Sequence, residues 1–116
     1  MSYDYMLFRS GGHIPASAEE INPEDSQPFE SFDEVRALLS KHCPAISWNE
    51  ADQTGKIENE TGRFEFQCFA PLIAMGTLGL KTSFRQDIEE SQRFISELCK
   101  LAGFYAIDEQ SLQILG

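Results

Sequence analysis

The 116-residue sequence has few basic residues, only two histidines and no long apolar run. Nine lysines and arginines face nineteen aspartates and glutamates, which gives a net charge of -10. Nucleic acids and anionic membranes both recruit basic surfaces, so we expect neither as a partner. No segment approaches the roughly 20 apolar residues of a membrane-spanning helix. The first residues also lack the basic and apolar regions of a signal peptide.

The three cysteines are an odd number and form no CxxC or other closely spaced ligand pair. Cys68 and Cys99 fall within apolar patterns, which favours buried free thiols over disulfides or metal ligands. Free thiols are typical of a reducing compartment, so we expect a cytoplasmic protein. Neither a zinc-type ligand cluster nor a calcium-binding loop is recognisable, and we expect no metal and no cofactor.

What the sequence does contain is typical of one folded domain spanning residues 1–116. Hydrophobic residues make up 41% and aromatic residues 11% of the chain, including nine phenylalanines. This length and composition are sufficient for a single hydrophobic core without disulfides.

Apolar periodicity predicts two helices and several strands. The first helix starts at Ser31, where Ser31 and Glu34 match a capping box, and it ends before Pro44. The second covers residues 87–102, with Gly103 placed for the left-handed position after a helix. The predicted strands are residues 3–9, 45–49, 56–60, 63–70, 80–85, 104–107 and 112–115.

This pattern predicts an α+β fold of order β-α-β-β-β-β-α-β. Both helices need to pack their apolar stripes on one face of a mostly antiparallel sheet. A ferredoxin-like variant, built on the split βαβ motif, is one arrangement compatible with that order. Residues 3–9 carry apolar side chains on both faces, which predicts a central strand covered on two sides.

The most unusual segment is a long acidic loop at about residues 10–30. Residues 10–35 contain seven acidic residues and no lysine or arginine. Such a segment can simply be a solvated face that aids solubility. It can also dock a basic protein through carboxylates surrounding apolar anchors. The residues predicted to bind a partner are Glu19, Glu20, Glu24 and Asp25, with Ile21 and Phe29 as anchors.

Three other features suggest alternatives. Adjacent His42 and Cys43 would be the candidate pair of a small enzyme, although no third group to orient the histidine is recognisable. The apolar stretch 72–80 is a candidate subunit interface for a homodimer with a structural or regulatory role. Arg63, Lys81 and Arg85 lie on polar faces of predicted strands and would form a basic patch opposite Glu65, or ordinary cross-strand ion pairs.

The acidic run from Glu19 to Glu34 and the general layout resemble those of small acidic bacterial immunity proteins, which protect cells in interbacterial toxin systems. The resemblance is one of type and rests on no residue-by-residue motif. It implies a cytoplasmic, non-enzymatic protein that neutralises a cognate toxin by occluding its active site.

Overall fold

The computed structural model describes residues 2–9, 14–21, 27–83 and 85–116. A 3₁₀ helix covers Ala18–Glu20. The α-helices are α1 (Phe32–His42), α2 (Ala70–Ile73) and α3 (Ile88–Ala102). The strands are β1 (Ser2–Arg9), β2 (Ser47–Asn49), β3 (Thr54–Glu58), β4 (Arg63–Gln67), β5 (Thr77–Ser83), β6 (Phe104–Asp108) and β7 (Ile114–Leu115).

All described strands form one antiparallel sheet in the order β2-β3-β4-β5-β1-β6-β7. Its central part, β4-β5-β1-β6, has the strand order of the split βαβ arrangement, because α3 connects β5 to β6 on either side of β1. The predicted α+β class and the predicted order of the main elements are confirmed. The hairpin β2–β3 and the short strand β7 extend the sheet on its two sides.

The region between β4 and β5 differs from its prediction. The predicted strand 63–70 ends at Gln67, and α2 follows with Pro71 in its first turn. Proline suits that position because its missing N–H has no helical partner there. Gly76, at a φ of 73°, then turns the chain into β5, which starts three residues before the predicted residue 80.

One face of the sheet and the two long helices form the hydrophobic core. Tyr5, Leu80 and Phe66 are buried and lie opposite one another across β1, β5 and β4. The Phe94 ring of α3 packs on Phe64 with ring centroids 4.4 Å apart. In α1, the Phe32 ring meets the edge of Trp48 at 5.7 Å. Because Trp48 and Phe64 share the face of Tyr5, both helices cover that same face.

We call the opposite side of the sheet the open face. Four charged residues, of alternating sign, lie side by side there on β3, β4, β5 and β1: Lys56, Glu65, Lys81 and Asp4. Toward β6 the open face becomes apolar, and the rings of Phe8 and Tyr105 stack at 5.3 Å. β1 is central as predicted, but Met6 and Phe8 are only partly buried, so its second face is incompletely covered.

The helix ends follow the sequence signals. The Ser31 hydroxyl accepts a hydrogen bond from the Glu34 N–H at 3.2 Å, and the Asp87 carboxylate accepts one from the Glu90 N–H at 3.0 Å. Gly103 ends α3 in the left-handed region, with a φ of 76°, and its N–H donates to the Cys99 carbonyl. These contacts satisfy backbone groups that the helices leave without internal partners.

We expect Gly103→Ala to lower the free energy of unfolding by about 1–2 kcal/mol. A Cβ at this position meets no atom within 4 Å, so the loss would come from backbone strain alone. Gly103→Asn should lose less, because asparagine tolerates the left-handed region better. Urea denaturation measures the change, with Glu97→Ala on the exposed side of α3 as control. A loss no larger than that of the control would contradict the strain argument.

Candidate functional site

The segment between β1 and α1, which we call the first connection, returns to the open face of the sheet at its β6–β7 edge. A Cβ at Gly116 would lie 3.0 Å from Ile14 Cδ1 and 3.6 Å from Tyr105 Cβ. Ile14 therefore contacts this edge, although 47% of its surface stays exposed. Pro15 is buried beside it. The segment that leads into the acidic 3₁₀ helix is thus attached to the sheet.

The carboxylates predicted to bind a partner differ in their hydrogen bonding. Glu19 is exposed and has no hydrogen-bond or ion-pair partner among the described residues. Glu20 is exposed as well, but its carboxylate accepts a hydrogen bond from the Ala16 N–H at 3.0 Å. Glu24 and Asp25 lie outside the described residues. Of the two predicted carboxylates that the structure describes, Glu19 is unpaired, whereas Glu20 also shapes the loop.

The two residues predicted as apolar anchors, Ile21 and Phe29, differ in their burial. Ile21 is half-buried. Phe29 is only 4% exposed and packs edge-on against Phe104, with ring centroids 6.0 Å apart. The Arg9 guanidinium lies 4.6 Å from the centre of the Phe29 ring. Phe29 is therefore a core residue and is not presented to a partner, so we remove it from the predicted binding surface. The more exposed apolar residue of this connection is Ile14.

Two acidic residues at the start of α1 are paired with arginines, one from β1 and one from α1 itself. Glu34 contacts Arg9 at 3.2 Å, and Asp33 contacts Arg36 at 2.8 Å. Arg36 also pairs with Glu50. The pairs of Glu34 with Arg9 and of Arg36 with Glu50 join residues far apart in the sequence. Because Glu34 and Asp33 are paired, fewer of the seven acidic residues in 10–35 carry an unpaired charge.

His42 and Cys43 are neighbours at the end of α1 without forming a catalytic pair in this structure. No hydrogen bond joins their side chains in the described part of the chain. Burial raises the pKa of the Cys43 thiol, whereas an activated cysteine nucleophile needs a lowered one. The Cys43 N–H donates to the Leu39 carbonyl at 2.7 Å, so the backbone here ends the helix.

A buried polar network lies in the core and was not recognised from the sequence. Asp108, 1% exposed, accepts hydrogen bonds from the Tyr3 hydroxyl at 2.5 Å and from the Gln92 amide at 3.1 Å. Its other oxygen accepts from the backbone N–H groups of Gln110 and Ser111. Both carboxylate oxygens are thus satisfied within the fold, which indicates a structural role.

The network changes the proton affinity of its members. Burial alone raises the pKa of Asp108, but the hydrogen bonds from Tyr3 and from two backbone N–H groups outweigh it, and the net pKa is lowered. The hydrogen bond to Asp108, together with burial, raises the pKa of Tyr3 to about 12. In the sequence, Asp108 directly follows the predicted strand 104–107, and an aspartate at such a position indicates only a turn.

The predicted basic patch is confirmed for Arg63 and Lys81 but not for Arg85, which lies outside the strand. Arg63 and Lys81 lie on the open face of the adjacent strands β4 and β5, and Lys81 is directly opposite Glu65. Arg85 follows the end of β5. Within the apolar stretch 72–80, Leu78 and Leu80 are buried in the core and are not available to a subunit interface, whereas Met75 is exposed.

Within the described ranges, no three histidine, cysteine or acidic side chains are grouped so that they could hold a metal ion. Over the same part of the chain, every helix is too short or too polar to span a bilayer. The sequence matches no protein-family model, and no curated protein or solved structure is significantly similar to it.

The buried network predicts a pH dependence at both ends of the scale. The lowered pKa of Asp108 stabilises the folded protein at pH values above 3.8, the ordinary pKa of this group. This stabilisation is lost as the pH falls through the lowered pKa. The pKa of Tyr3 is raised from 10.0 to about 12. The stabilisation of the folded protein by Tyr3 is therefore fully present below pH 10 and is lost as the pH rises from 10 to about 12.

We therefore expect Tyr3→Phe to make the loss of stability between about pH 10 and pH 12 shallower than in the parent protein. Asp108→Asn should remove part of the loss below about pH 4. Urea denaturation across pH measures both effects, and Arg93→Gln on the surface of α3 is the control. Unchanged pH profiles in both network variants would refute this linkage.

All three cysteines are buried and free, and burial raises the pKa of the thiols of Cys68 and Cys99 to about 12. We expect a thiol reagent to modify these two cysteines only as fast as the native protein unfolds, with Cys43 reacting first because burial raises its pKa less. Mass spectrometry of the native and the urea-unfolded protein measures this order. Rapid labelling of Cys68 or Cys99 in the native protein would show that the core is open.

Proposed function

We propose that this chain is a protein-binding module, most specifically a cytoplasmic immunity protein that neutralises a cognate toxin by occluding its active site. The observation that carries the proposal is the exposed acidic 3₁₀ helix with Glu19 and Glu20, which follows a segment attached to the sheet through Ile14. The resemblance in type to small acidic immunity proteins supports the same assignment.

The attachment of this segment matters for binding energetics. A segment held against a sheet loses less conformational entropy on binding than a free loop. The contact of Ile14 with the β6–β7 edge and the hydrogen bond from Ala16 to Glu20 both restrain the segment before any partner arrives. The carboxylates are thereby presented from a restrained position, which favours a specific partner.

The proposed mechanism combines electrostatic steering with local apolar contact. The chain carries a net charge of -10, which accelerates encounters with a basic protein and makes association sensitive to salt. Glu19, Glu20, Glu24 and Asp25 would oppose basic groups of the toxin. Ile14 and Ile21 would supply apolar contact, in place of the buried Phe29.

A homodimer with a structural or regulatory role is the second candidate. It is favoured by the incompletely covered apolar part of the open face, where Met6 and Phe8 remain partly exposed. Met75 is also 56% exposed beyond the end of α2. Sedimentation analysis at high concentration that showed only monomers would eliminate this candidate.

The proposed function is tested with a variant that carries Glu19→Lys, Glu24→Lys, Asp25→Lys and Glu20→Gln. Glutamine at position 20 keeps an acceptor for the Ala16 N–H. The control carries Glu60→Lys, Glu97→Lys, Glu109→Lys and Glu89→Gln, which changes the net charge equally at other exposed positions. Affinity capture from the source cell with the unaltered protein identifies the partner.

We expect the captured partner to be a basic protein with toxic activity that the chain inhibits. Its association rate, measured by surface plasmon resonance, should fall about 10-fold for the acidic-loop variant and much less for the control. Raised salt should slow association of the unaltered protein. Equal association rates for the two variants would reject the acidic-loop mechanism, and a captured protein that the chain does not inhibit would reject the immunity function.

A further inference from the structure

The open face has a groove at the end where β4 starts and β5 ends, whereas Ile14 contacts the β6–β7 edge of the sheet. Three adjoining hollows, with volumes of about 480, 480 and 300 Å³, are all lined by Arg63. We call them together the Arg63 groove. Besides Arg63, the charged residues that line it are Lys56, Lys81, Arg85, Glu58 and Glu65.

The groove exists because short side chains lie between long ones. Ser2 and Ser83 are directly opposite each other on β1 and β5, and Ser47 is opposite Lys56. The flanking arginines and lysines are several atoms longer, so they form the walls. The Ser2 hydroxyl already donates to the Asp4 carboxylate at 2.6 Å. The Ser83 hydroxyl accepts a hydrogen bond from the Arg85 N–H at 3.1 Å, so its own proton can still be donated to an anionic oxygen, as can that of Ser47.

One side chain holds the two sides of the groove together. The Gln86 side-chain oxygen accepts hydrogen bonds from the Arg63 N–H at 3.0 Å and from the Ser83 N–H at 3.2 Å. Its amide nitrogen donates to the Ser91 hydroxyl of α3 at 2.7 Å. The ends of β4 and β5 are therefore tied to the helix, and the groove is formed before any ligand binds.

The charge of the groove is opposite to that of the whole chain. Four of the nine basic residues line it, against two acidic residues. Arg63 pairs with Glu58 at 2.8 Å, and Lys56 pairs with Glu65 at 3.5 Å. Lys81 and Arg85 form no ion pair within residues 2–9, 14–21, 27–83 and 85–116. Lys81 lies between Glu65 and Asp4 in the sheet, whereas Arg85 follows the end of β5. The two exposed ion pairs are weak, because water screens them.

We propose that the Arg63 groove binds a small polyvalent anion that carries phosphate or carboxylate groups. Arginine offers paired N–H donors that match such oxygens, and the unpaired Lys81 and Arg85 supply the surplus charge. A small anion fits better than a long polyanion, since the acidic remainder of the chain repels an extended negative ligand. The proposal is independent of toxin binding, because it uses different residues.

The test is an NMR titration of the ¹⁵N-labelled full chain with pyrophosphate, and separately with citrate, at low ionic strength. We expect saturable shifts concentrated at the backbone amides of Gly62, Arg63, Ser83 and Arg85. The stronger of the two probes identifies whether phosphate or carboxylate is preferred. A variant with Lys81→Gln and Arg85→Gln should bind at least about 10-fold more weakly, since it loses two charged hydrogen-bond donors.

The matched control is Arg93→Gln with Lys100→Gln on α3, which removes the same charge away from the groove and should change affinity less than about 2-fold. Unsaturable or dispersed shifts with both probes would overturn the proposal. Equal weakening in the two variants would also overturn it, because binding would then follow net charge alone. The acidic-loop variant should bind the anion at least as well as the unaltered chain, which separates this test from that of the proposed function.

Discussion

β1 is hydrogen-bonded to β5 on one side and to β6 on the other, and the rest of the molecule depends on this double pairing. It joins the first strand to segments from the second half of the chain, and it places Tyr3 beside Asp108, 105 residues later. The strand thereby closes the split βαβ centre, on which both long helices pack. The Thr82 hydroxyl, which donates to the Tyr3 carbonyl at 2.8 Å, reinforces the same junction.

The sheet separates two environments. Its core face is filled by aromatic and aliphatic side chains and contains the polar network of Asp108, whose carboxylate oxygens are satisfied by Tyr3, Gln92 and backbone N–H groups. Its open face is divided by charge, with the Ile14 contact and the segment leading to Glu19 at the β6–β7 edge and the Arg63 groove toward β3 and β4. Because charged residues on the open face remain close to water, they are free to take part in binding, whereas a buried charge is held by the fold.

This division explains why net charge alone is an incomplete guide to partners. The chain is strongly acidic, yet Glu34 and Asp33 are neutralised locally by Arg9 and Arg36, while Lys81 and Arg85 form no ion pair in the described structure. The acidic loop and the basic groove are therefore two separate electrostatic features. One suits a basic protein and the other a small anion, and neither requires the other.

The sequence was enough to predict the α+β class, the main order of elements and the ends of the two long helices, because periodicity and capping act over a few residues. It also placed Arg63 and Lys81 on one face, since alternation along a strand sets side-chain direction. Three outcomes became visible only in the folded structure: Phe29 belongs to the core, Asp108 faces inward to Tyr3, and α2 replaces part of a predicted strand. Those outcomes depend on contacts between residues far apart in sequence, which local patterns do not encode.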